Sequence, residues 1–315
     1  MLTHRIRLDG PGVRGTTVNA CLLRDVLNLV IDGSQRAVRL RTQGRSTAPG
    51  TKPGWIEAAS EFSVRILEGS TVLEVEAPSL LEADPDEFSQ ENLFPEIDPT
   101  RTSIQYFTES LSAAIEGESA ARSNLYDKSF LELLRDFDSV LHRGVTYVEI
   151  DSNGAAQLSG PVRVTREAIP RFGELVSRIP DPQHVRLAGK LDQIRDSDCS
   201  LVLQLPENEE TVKGIATSAH MEDLRRLWRQ AVLVSGQAHF NVAGGVQRID
   251  VEHIAQASEE DLGLWAQPPR PLFHATRPAE FRVSQGPRSG INAIIGKWPG
   301  DESDEEIALA LEQLS

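Results

Sequence analysis

The sequence predicts an α+β protein in three parts: an N-terminal α+β domain, a small OB-like five-stranded β-barrel and a C-terminal helical arm. Three observations carry this. Helical apolar stripes mix with short alternating strands through residue 180. A strand-strand-strand-helix-strand-strand order then fills residues 183–257. The segment from residue 285 gathers aliphatic residues, one tryptophan and a run of carboxylates.

His4–Leu8 reads as a strand with one solvated face, because Ile6 and Leu8 alternate with Arg5 and Arg7. Leu22, Leu23, Val26, Leu27, Val30 and Ile31 stay in helical phase, and Ala37 and Val38 continue it past Gly33. This predicts one helix from about Asn19 to Arg41. Thr42–Pro53 is polar and loop-like. Phe62, Val64 and Ile66, then Thr71, Leu73 and Val75, alternate on either side of Gly69-Ser70, a hairpin signal. Residues 78–100 carry four prolines and read as an irregular connection. Two helical stripes follow, Ile104/Phe107/Leu111/Ile115 and Phe130/Leu133/Leu134/Phe137/Leu141. Val145–Ile150 reads as a strand, Ala155–Leu158 as its returning partner, and Thr165 as the cap of a helix ending near Ile179. Ile179-Pro180-Asp181-Pro182 is a rigid break that closes the 1–180 domain.

In the 183–257 barrel, strands are expected at Val185–Ile194, Ser200–Leu205, Thr211–Ala216, Ala231–Phe240 and Val246–Ile254, with a helix at Met221–Trp228. Gly189 suits the sharp bend of a first barrel strand. Another five-stranded barrel or a mixed α+β layer remains open. Residues 258–284 read as a Pro-rich bridge pinned to a domain surface by Trp265 and Phe273, and 285–315 as a partner-binding arm.

Composition narrows function. With 32 basic and 47 acidic residues, the 315-residue chain has a net charge of −15. That opposes general nucleic-acid binding, which needs clustered Lys and Arg. No apolar stretch reaches membrane-spanning length, and no signal core follows Met1, so neither a membrane nor a leader is expected. Two lone thiols, Cys21 and Cys199, fit a reducing cytoplasmic setting.

Gly10-x-Gly12-x-x-Gly15 matches the dinucleotide fingerprint in letters. Arg5 and Arg7 in the preceding strand, Pro11 in the loop and the helical phase through Val38 argue for an ordinary turn. No cofactor is assigned. The seven histidines form no metal-ligand spacing, and no nucleophile motif occurs, so the chain reads as non-enzymatic. A nucleic-acid reading of the barrel would rest on Arg186 and Lys190, with Lys213 and Arg248 extending the stripe. Residues 183–257 nevertheless hold 8 basic against 10 acidic side chains, and their only aromatics are Trp228 and Phe240.

The tail is the sharpest feature. Ile291, Ile294 and Ile295 precede Gly296-Lys297-Trp298-Pro299-Gly300, followed by Asp301, Glu302, Asp304 and Glu305. Ser303 and Glu306 make an S-x-x-E capping box, and Ile307, Ala310, Leu311 and Leu314 form an apolar stripe behind it. This segment resembles the C-terminal tails of bacterial antitoxins encoded beside PIN-domain ribonuclease toxins. The resemblance covers about 20 residues. It implies a tail that wraps the toxin and blocks its Mg²⁺-dependent RNA-cleaving site. Ile294, Ile295 and Trp298 would be anchors, Asp301, Glu302, Asp304 and Glu305 the acidic element, and Ile307 and Leu311 part of the helix face. Unlike those short antitoxins, this chain has no ribbon-helix-helix or AbrB-like segment, which sets autorepression apart from the resemblance. The expected function is a non-catalytic, antitoxin-like binding protein; the alternative is a nucleic-acid-associated module using the barrel.

Overall fold

A computed structural model describes residues 1–272 except 14, 16, 68–70, 90–96, 117–119, 153–159, 197 and 207–209. The chain divides into two units, Met1–Ala275 and Thr276–Ser315. The first holds both the N-terminal layer and the barrel.

The N-terminal half runs β1 (Leu2–Asp9), α1 (Ala20–Gln43), α2 (Gly54–Ala58), β2 (Ser63–Ile66), β3 (Val72–Ala77), α3 (Leu80–Ala83), α4 (Pro85–Phe88), α5 (Ser103–Glu116), α6 (Lys128–Arg135), α7 (Phe137–Leu141), β4 (Tyr147–Asp151), β5 (Val162–Thr165) and α8 (Ala168–Arg178). Its sheet has the order β2-β3-β1-β4-β5, and every pairing is antiparallel. His4, Ile6 and Leu8 of β1 are buried, and the residues between them are exposed. One face of the sheet therefore packs into the helices. The other carries charge rows, with Arg65 opposite Glu74 and Glu149 opposite Arg163.

Asn19 caps α1 by accepting from the Cys21 and Leu22 amides. Gly33 weakens this helix intrinsically. Its position is explained by packing: a Cβ there would overlap the buried Phe107 ring of α5. The second helical stripe is broken at Asp136 into α6 and α7. Residues 78–100, expected to be irregular, contain α3 and α4, capped by Ser79 and Asp84. Thr165 does not cap α8; it ends β5, and α8 starts after Glu167 without a side-chain cap. The strand pairing with β4 is β5, while 155–158 and the tips Gly69-Ser70 and 207–209 lie outside the described residues.

The second half runs β6 (Gln183–Arg195), β7 (Ser200–Gln204), β8 (Thr211–Ile215), α9 (Met221–Leu227), β9 (Ala231–Phe240), β10 (Val246–Gln256) and α10 (Glu259–Trp265). The strands close a barrel in the order β10-β8-β7-β6-β9, with β9 pairing back onto β10. Only β8 and β10 are parallel, through Gly214 opposite Ile249. Counted within the barrel this is 1-2-3-5-4-1, the OB arrangement, with α9 between the third and fourth strands. Alternation explains it: every second residue of β9, from Val232 to Phe240, is buried. Gly189 lies where β6 bends over β7; a Cβ there would sit 2.9 Å from the Gln204 carbonyl. The Pro-rich bridge contains α10, opened by a Ser258/Asp261 capping box and packed on β6 and β9. Trp265, at its end, lies 5.9 Å from the Arg186 guanidinium. Trp228 falls just beyond α9, and Phe273 lies outside the described residues.

His4 gives the fold a pH dependence. It is fully buried, with Nε2 3.0 Å from the Thr102 hydroxyl and Nδ1 unpaired. Burial pushes it from the ordinary 6.5 down to about 4. Below pH 6.5 the unfolded chain takes up a proton that the folded chain refuses, so stability is full above 6.5 and falls as pH drops toward 4. The loss expected from this group is on the order of 3 kcal/mol. Urea midpoints between pH 7 and 5 should decline, and His4→Gln should flatten that slope.

Candidate functional site

OB barrels commonly take ligands on the face of strands 2–3 and in the loops joining strands 1–2 and 4–5. Here those loops are β6–β7 and β9–β10, and both meet the N-terminal half. The β9–β10 loop inserts Val242 into the core beneath the sheet and helices, where it is buried. The Asn241 amide donates to Asn124 at 2.5 Å, and its Oδ1 accepts from the Ala243 and Gly245 amides, which shapes the turn. Gln247 donates to the Tyr126 carbonyl at 3.0 Å.

The β6–β7 loop brings charge into the seam. Asp198 accepts from Gln43 at 2.8 Å and from Arg195 at 3.3 Å. Arg195 also pairs with Glu87 of α4 and lies 6.0 Å from the Trp55 ring. Burial lowers the Arg195 pKa, and the charges of Asp198 and Asp84 oppose that shift. Cys199 follows with φ of 54°, and burial, aided by neighbouring acids, raises its thiol.

The four basic residues expected to form a barrel stripe are divided between two roles. Lys213 of β8 donates to the Arg41 carbonyl at 2.8 Å, and Arg248 of β10 donates to the Gly44 carbonyl at 3.3 Å. Both cations serve the C-terminal end of α1, where unpaired carbonyls and the helix dipole favour them. Arg186 and Lys190 stay exposed on β6, Arg186 beside Trp265. The expected tail residues Ile294, Ile295, Trp298, Asp301, Glu302, Asp304, Glu305, Ile307 and Leu311 lie outside the described residues.

Arg248 also builds a small network. Its guanidinium contacts Asp250 at 2.9 Å and His239 Nε2 at 3.1 Å, while His239 Nε2 lies 2.9 Å from Asp250. Burial pushes the Asp250 carboxyl up, but hydrogen bonds from His239 and Arg248 outweigh it and hold it well below the carboxylate range. His239 and Arg248 border a cavity of about 290 Å³ that Arg45, Asp127, Lys128 and Asp181 also line.

A second cleft, of about 280 Å³, opens on the other side of the 44–53 loop. Asp32, Gln35, Arg36 and Arg39 line it from one face of α1, and Thr47 and Lys52 from the loop. Arg39 is 7% exposed and has no hydrogen-bond partner among the described residues. Burial lowers its pKa against the opposing charge of Asp198. Sequence reasoning missed this cleft. The available signal was a polar stripe at i, i+3, i+4 and i+7 within an otherwise apolar helix.

Gly10 and Gly12 sit in a packing turn. Gly12 N–H donates to the Gly144 carbonyl at 2.8 Å, and a Cβ on Gly10 would overlap that same carbonyl. The strand before it is the centre of an antiparallel sheet, not of a parallel one. Among the described residues, no group of three or more His, Cys, Asp or Glu is placed to hold a metal, and no helix is long and apolar enough to cross a membrane.

With this geometry in place, the chain was compared with protein-family models, curated proteins and solved structures, and none of them matches it.

Proposed function

We propose that the chain is a non-catalytic, antitoxin-like binding protein. The α+β layer and barrel form its scaffold, and the acidic C-terminal arm restrains a protein partner, a PIN-type ribonuclease. The observation that carries this reading is the tail sequence itself. Ile294, Ile295 and Trp298 offer apolar anchors directly before Asp301, Glu302, Asp304 and Glu305, with a capping box leading into the Ile307/Leu311 stripe. An amphipathic helix of this kind lays its apolar face in a groove, and the carboxylates meet a basic rim or a metal-binding centre.

The inward commitment of the β6–β7 and β9–β10 loops supports the same reading from the other side. Single-stranded nucleic acid is commonly taken by those loops, and here they contact Gln43 and Asn124 instead. Lys213 and Arg248 are held at the end of α1 as well.

The test is affinity capture from the native host with the full chain and with Trp298→Ala, read by mass spectrometry. A ribonuclease recovered with the native sequence, and weakened by about 2 kcal/mol or more in the variant, is expected of a buried aromatic anchor. Equal recovery, or loss of the chain's own thermal stability in Trp298→Ala without loss of partner, would remove the basis of the reading.

A further inference from the structure

In a chain of net charge −15, the cleft on α1 gathers Arg36, Arg39 and Lys52 against a single acid, Asp32. These cations are pre-positioned. Arg36 donates to the Ser129 carbonyl at 2.6 Å, and Lys52 donates to Gln35 Oε1 at 2.5 Å. The loop above is anchored by Ser46, whose amide and hydroxyl both donate to Asp127, at 2.8 and 2.6 Å. Arg39 is the anomaly. A guanidinium carries five donors, and burying even one without an acceptor is costly. Arg39 is nine-tenths buried, its Nε touches neither solvent nor an acceptor among the described residues, and the residue lines the cleft.

We propose that this cleft binds a small phosphate-bearing molecule, its phosphate held between Arg39, Arg36 and Lys52. A planar guanidinium engages phosphate oxygens through paired charged hydrogen bonds. The size is that of a small metabolite-scale ligand, at the lower limit of such pockets. The lining contains no aromatic side chain, so a strand of stacked bases is not the fitting occupant. Thr47 adds a hydroxyl at the mouth.

The test titrates the full-length protein with inorganic phosphate, followed by calorimetry and by ³¹P line broadening, with acetate at matched ionic strength as the comparison. Saturable binding with a dissociation constant near or below about 1 mM is expected for phosphate and not for acetate. Arg39→Gln should weaken it roughly tenfold or more, the worth of a charged hydrogen bond. Lys52→Gln changes a half-exposed side chain and should weaken binding several-fold without touching the core, so it decides the matter if Arg39→Gln does not fold. Absence of saturable phosphate binding, unchanged affinity in the variants, or equal binding of acetate would overturn the proposal.

Discussion

Asp198→Ala is expected to destabilise the protein by about 3–5 kcal/mol, because it removes one of the two carboxylates paired with the buried Arg195 and the charge that offsets burial of Arg39. The Asp198 side chain is 8% exposed and that of Arg195 10%. Its carboxylate accepts from Gln43, Arg195 and the Ser200 amide, and its charge also offsets the desolvation of Arg39. Removing one partner of such a group costs far more than removing the group, since the remaining ion stays buried. Asp198→Leu combined with Arg195→Met and Glu87→Gln, which removes the ion set together, should therefore lie closer to the native protein than Asp198→Ala alone. Urea denaturation measures both. A loss under about 1 kcal/mol for Asp198→Ala would mean that the seam charges are solvated and the β6–β7 loop is loosely held.

Val242→Asp is the second large effect. Val242 sits on a barrel loop, yet it belongs to the core of the N-terminal half. An aspartate there is taken out of water with no cation built to receive it, a cost of several kcal/mol. The expected result is about 3–5 kcal/mol of lost stability or a barrel undocked from the N-terminal layer, seen as a denaturation curve split into two transitions. A Val242→Asp protein that unfolds in one transition near the native midpoint would place the loop at the surface.

Much of the fold was legible because its elements obey one periodicity each. The α1 stripe from Leu22 to Val38, the β9 alternation from Val232 to Phe240 and the strand order around Met221–Leu227 all follow from side-chain spacing alone. Local chemistry was less readable. Thr165 has the right residue type for a cap, but its hydrogen bonds go to the β4 ladder. The helix at Glu259–Trp265 was hidden among prolines, although Ser258 and Asp261 carry its cap.

The seam between the halves was not legible, and the reason is physical. Asn241 and Gln247 look like ordinary barrel residues until their partners, about 120 positions earlier, are brought beside them. Lys213 and Arg248 illustrate the same limit: as letters they extend a basic stripe, yet in space they cap a helix. Arg39 would have been visible only to a reading that asks why a helix places a cation among its buried positions.

The structural ground for setting the nucleic-acid reading aside is that the barrel's ligand loops are part of the protein's own interior. Amide hydrogen exchange across residues 241–245 tests it directly. The amides of Asn241, Ala243, Gly244 and Gly245 are each hydrogen-bonded within the turn, and Val242 fixes that turn in the core. The account predicts that they exchange as slowly as Ile6 and Leu8 in the central strand, through global opening. Exchange at the rate of an exposed loop tip would contradict it and return the barrel face to the list of surfaces open to a ligand.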